Sequence, residues 1–184
     1  MLRSTILSTS RSMSRTITLA LLISAPAALI AASQADLAAK FVGAWKLVDI
    51  IGDAAGRPSH YDHPTGMIIY LPSGRMAVQI AATNHRQKFA PFTVGTISAT
   101  DQEKAAAFDS YTAYYGTYTI DAQAGTITHH LESSVVPGRA GNDNVRWFEF
   151  PAPNRVVLIP VEDGKGGRIS RQDATHKLIW ERLP

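Results

Sequence analysis

Cysteine is absent from the 184 residues. That excludes disulfide staples and a lipid-modified cysteine, so the fold has to rest on its core alone. Also missing are a Gly-X-Ser-X-Gly elbow, a phosphate-binding glycine loop and a dinucleotide fingerprint, which leaves hydrolase and nucleotide-binding functions without a motif. Excess charge is scarce too. The formal net charge is +3, and Arg3, Arg11 and Arg15 supply three of the 18 basic residues with no acid beside them. Beyond Ala35 the chain therefore carries 15 basic and 15 acidic residues. A near-neutral domain offers no persistent basic patch, and nucleic acid is not expected as a partner.

What is present begins with the N-terminus. After the basic residues comes the apolar run "TITLALLISAPAALIAA", ending in the small-residue segment "AASQADLAA". A basic head, a short apolar run and small residues at the cut describe a secretory signal peptide. The expected division is a signal peptide over 1–35, cleaved after Ala35, and a single domain over 36–184. The alternative is an uncleaved anchor, but Pro26 interrupts the run and it is short for a span of about 20 residues. A periplasmic or secreted protein without stable membrane insertion after cleavage is the expectation. Roughly 150 residues suffice for one core without disulfides.

Short apolar runs punctuated by turns fill the rest. The pattern predicts strands over 41–51, 65–71, 75–81, 115–120, 126–135, 144–150, 155–160 and 176–183. Turns such as "PSG", "DAQAG" and "PAPN" are of hairpin length, so consecutive strands form an antiparallel meander. About eight such strands either close into an up-and-down β-barrel with room for one small ligand or stack as a β-sandwich. One segment breaks the pattern. "TDQEKAAAFDSYTAY" opens with Thr100 and Glu103 at capping-box spacing and predicts a short helix between the third and fourth strands. Phe108 and Tyr111 are expected to pack downward from it as ligand contacts. The long aromatic loop before it, "TNHRQKFAPFTVGTIS", reads either as a lid or as a packed surface excursion.

Candidate chemistry centres on "TITHHLESSV". In a regular strand His129 shares a face with Ile127, Leu131 and Val135, and His130 the other with Thr128, Glu132 and Ser134. The two cannot chelate one ion. An inward His129 is either the polar group of an apolar cavity or an imidazole satisfied by a neighbouring tyrosine or carboxylate. If unpaired, its removal leaves folding nearly intact. Arg146 lies on the face of Phe148 and Phe150, where it clamps a carboxylate or enolate or pairs with Glu132 or Glu149. Tyr118 is a further proton-handling candidate, while Tyr70, Trp147, Phe148, Phe150 and Trp180 read as wall. "HYDH" brings His60, Asp62 and His63 together, but nothing completes a ligand set, so no metal and no cofactor is expected.

The series "FVGAWKLVDI", "TGMIIYLPSGRMAVQI", "YYGTYTID", "TITHHLESSVVPGRAGNDNVRWFEF", "NRVVLIPV" and "LIWERLP" resembles the lipocalin-like domain family over nearly all of residues 40–184. The resemblance implies a β-barrel with an internal cavity. It also implies that Gly43, Trp45 and Arg182 close the barrel floor, since lipocalins pack a basic residue from the chain end over the tryptophan of Gly-X-Trp. It brings no catalytic residues. Two functions follow as expectations: an exported barrel binding a small, mostly hydrophobic molecule, or a cofactor-independent isomerase or cyclase using the same cavity with His129, Tyr118 or Arg146.

Overall fold

The computed structural model describes residues 34–52, 63–81, 86, 89, 99–163 and 166–184. Eight antiparallel strands close into one barrel in sequence order: β1 (Gly43–Ile51), β2 (Thr65–Tyr70), β3 (Arg75–Ala81), β4 (Tyr111–Asp121), β5 (Thr126–Ser134), β6 (Asp143–Ala152), β7 (Arg155–Pro160) and β8 (Lys177–Arg182). Closure pairs β8 with β1, with Trp45 opposite Arg182. Every edge is thereby consumed, which a sandwich would not achieve.

Alternation decides which side chains enter. Along β3 Met76, Val78 and Ile80 are buried and their neighbours exposed, as period two requires. β7 is instead buried on both faces. Its outward Val157 and Ile159 lie under Ile169 and Ala174 of the segment that leads into β8, with Trp147 and Ile179 packed alongside. This second cluster accounts for strands that read as apolar on both sides.

Among the described residues two helices accompany the barrel. Residues 34–41 form α1, which places Leu37, Ala38 and fully buried Phe41 against the core. The expected first strand therefore starts later than residue 41: Gly43, at φ 131°, turns the chain from helix into β1. α2 (Asp101–Asp109) starts with the anticipated box, Thr100 and Glu103 bonding each other's backbone. It ends earlier than expected and buries no residue. From Tyr111 onward the chain pairs with β3, Ala81 opposite Tyr111, so β4 begins four residues before its predicted start.

The two barrel ends differ. Connections 71–74, 122–125 and 153–154 are tight turns at the end that α1 covers, whereas 52–64, 82–110, 135–142 and 161–176 all emerge at the other. At the covered end Phe41 meets Tyr70, Phe148 and Phe150 edge-on at ring-centroid distances of 5.4, 5.1 and 5.0 Å, and α1 acts as a plug.

Candidate functional site

Above the plug lies a cavity of about 150 Å³. Its wall is largely aliphatic, with Ile50, Ile68, Val78, Ile80, Leu158 and Leu178, and Trp180 also contributes. Most of its polar side chains enter from β4 to β6, while His176 enters from the segment before β8. β4 supplies Tyr114, β5 supplies His129, β6 supplies Arg146, and the β5–β6 connection supplies Arg139. Register brings them together: Tyr118 of β4 stands opposite His129, and Ile127 of β5 opposite Arg146, so all three strands turn these side chains to the same inner face.

His129 is fully buried. Tyr70 Oη lies 2.8 Å from its Nε2 and Tyr114 Oη 3.0 Å from its Nδ1. Burial drives the imidazole pKa well below 6.5, and the charges of Arg146 and His130 push in the same direction. A neutral imidazole has one donor and one acceptor nitrogen, so one tyrosine donates to the ring and the other accepts from it. Burial likewise raises the Tyr70 phenol, with Tyr114 next in effect. Arg146 Nη2 donates to Tyr114 Oη at 3.4 Å. Arg146, Tyr114, His129 and Tyr70 thus form one chain from the cavity wall into the core.

At the covered end Arg182 stacks 4.1 Å above the Trp45 ring. Its guanidinium donates to the carbonyls of Val42, at 2.6 Å, and Lys40. Trp45 Nε1 donates to the Phe41 carbonyl at 2.8 Å. A Cβ at residue 43 would lie 2.7 Å from Arg182 Nη1, so glycine there admits the guanidinium to the ring face.

A family profile described as lipocalin-like domain matches residues 42–183, spanning every strand of this barrel. The chain belongs to the lipocalin-like domain family. No curated protein matches the sequence. Among solved structures, a redesigned β-barrel is similar at a TM-score of 0.41 and 11% identity, covering 80% of this chain and 95% of its own. A variant of the fluorescent protein UnaG is similar at a TM-score of 0.35 and 15% identity, with coverage of 79% and 98%.

Within the lipocalin-like barrel the anticipated site residues separate. His129 and Arg146 share the cavity. Tyr118 does not line it; its side chain reaches toward the covered end, where Oη donates to the Leu71 carbonyl at 3.1 Å. Phe108 is 43% exposed on α2, and Tyr111 is the first residue of β4, on the outer face with its hydroxyl bonded to Gln79. Neither packs downward into the barrel. The pairings anticipated for Arg146 are otherwise taken, since Glu132 binds Arg75 and Glu149 binds Arg171. Arg86, in the loop before α2, donates to the Ala107 carbonyl at 2.9 Å and caps the end of α2, whereas most of that loop, and with it the choice between lid and surface excursion, lies outside the described residues. Of the His60, Asp62 and His63 group, His63 alone is described. Tyr114, Arg139 and the hydroxyl of Tyr70 were not anticipated. Extending the alternation of "YTAYYGTYTI" backward from Tyr118 through Gly116 reaches Tyr114 and gives its inward direction.

Proposed function

We propose that this lipocalin-like barrel is exported and holds a small, mostly hydrophobic molecule in its interior. The observation that carries the reading is the largely aliphatic barrel cavity with a few polar groups, most of them on the β4 to β6 side, the usual composition of a small-molecule site. Export is supported by the three arginines, the apolar run and the small-residue segment before Asp36. Native mass spectrometry of protein recovered from its own periplasm or medium should show a bound species of low mass released by mild denaturation. Recovery only from the cytosol, or only unliganded from every compartment, would count against the reading.

The chain through Arg146, Tyr114, His129 and Tyr70 favours a second function, a cofactor-independent isomerase or cyclase. Tyr114 and Arg146 are the members that would meet substrate, because both line the cavity and both nitrogens of His129 are already engaged by tyrosines. The imidazole of His129, held below its usual range, is a weak base and the raised phenol of Tyr70 a weak acid, which places binding ahead of proton transfer. The bound molecule decides between them. Return of the molecule unchanged from deuterated buffer supports a binder, and carbon-bound deuterium or an isomerised skeleton supports the enzyme.

A further inference from the structure

The polar sector has one sign of charge. Arg139 and Arg146 both line the cavity and, among the described residues, no acidic residue does, His176 being the further titratable group on the β8 side. Arg139 Nη2 donates to Asn144 Oδ1 at 3.1 Å and its guanidinium sits 6.0 Å over the Tyr114 ring. Arg146 bonds the hydroxyl of the same tyrosine. Among the described residues neither guanidinium contacts a carboxylate, although the exposed Arg75 and Arg171 both do. Two cations placed around one tyrosine repel each other, and the cost grows as the cavity excludes water.

A second observation points the same way. Among the described residues, the buried side-chain polar atoms without a partner are Asn144 Nδ2 and Trp180 Nε1. Both are donors, and no acceptor is left over. Asn144 lies opposite His129 on the inner face, bonded to the cavity-lining Arg139 but not itself part of the lining. The contact from Arg139 fixes its amide with the oxygen toward the guanidinium, since arginine cannot accept, and so leaves the NH₂ group open. Trp180 is part of the cavity wall. Buried donors without acceptors are costly until an acceptor arrives.

We propose that the cavity takes a compact organic carboxylate, its anionic head between Arg139 and Arg146 and its apolar body against Ile68, Val78, Leu158 and Leu178. The inference rests on the barrel being a small-molecule site and names the class of molecule. The cavity is about 150 Å³, which suits a single ring or a short branched chain, since an apolar cavity of about that size holds benzene. Long-chain acids are excluded from lying wholly inside. A guanidinium fork matches the two carboxylate oxygens, and the neutral amide of the same shape offers one acceptor and two unwanted donors.

Benzoate and benzamide test this on the intact protein by titration calorimetry at pH 7.5. Benzoate should bind at least about tenfold more tightly, a difference of about 1.4 kcal/mol. Arg146→Gln and Arg139→Gln should each erase most of that preference while leaving benzamide affinity within about twofold, and retained benzamide binding shows that the variants are folded. Added salt should weaken benzoate alone. Equal binding of the two probes, or a preference that survives both substitutions, would overturn the carboxylate assignment and leave the barrel a binder of neutral molecules. Binding of neither probe would overturn both readings.

Discussion

His129 holds the inner surface of β5 to two other strands through side chains alone, Tyr70 from β2 and Tyr114 from β4. Because both nitrogens are satisfied, the expectation that its removal leaves folding intact does not hold. His129→Ala leaves two phenols short of a partner and opens a void, and should cost about 2–4 kcal/mol in chemical denaturation. His130 faces outward to Thr119 and Asp143. His130→Ala should cost about 0.5 kcal/mol or little more, as at ordinary surface positions; equal losses for the two substitutions would contradict the assignment of faces. The depressed imidazole also sets a pH response. The unfolded ring takes up a proton near 6.5 and the buried ring does not, so its contribution is complete above that pH. It is lost as pH falls, by up to about 1.4 kcal/mol per unit, until the folded ring itself protonates. Between pH 6.5 and 5 the stability of His129→Gln should fall less steeply than that of the parent, and parallel curves would rule out a buried neutral imidazole.

At the scale of the element, strand existence was legible because turn chemistry and β-branched runs are local signals. Faces were legible only as far as the strand stayed regular. Alternation holds in β5 from Thr126 to Leu131, then a bulge sets both Leu131 and Glu132 against the step from Tyr115 to Gly116. Beyond it Ser134 lies opposite inward Tyr114, and Val135 no longer shares the face of His129. Nothing in "HHLESSV" announces the inserted residue; the clue is in the partner strand. A Cβ at residue 116 would lie 1.9 Å from the His130 carbonyl oxygen, so only glycine lets β5 fold over β4 there. Gly116→Ala should lower the thermal midpoint by several degrees, as expected for a loss of about 1–3 kcal/mol. Helix α2 was recognisable from its cap, but its end was not, because Tyr111 onward gains more by pairing with β3 than by extending a helix with no buried side. The partners of His129 were hidden for a different reason. Tyr70 and Tyr114 are 59 and 15 residues distant, and only closure of the barrel tells which tyrosines point at one imidazole.

For the whole molecule, stability without disulfides depends on the plug. Trp45 is fully buried beneath Arg182, and Trp45→Ala should cost about 3–5 kcal/mol by equilibrium unfolding. An unchanged midpoint would show that the floor is dispensable. If the exported chain starts near Asp36, as proposed, N-terminal sequencing should return that residue, and Leu37, Ala38 and Phe41 remain to fill the covered end. A result of Met1 would remove the cleavage proposal. The direction of the strands carries a practical corollary. Gly43 at the start of β1 and Arg182 at the end of β8 stand together beside α1, on the side of the barrel away from the long connections. A dye, a sensor electrode or a fused reporter attached through either end of the barrel would therefore hang from the sealed base and leave the rim unobstructed. Joining those ends and reopening the chain at the turn 153–154 would move the attachment point without turning it toward the rim.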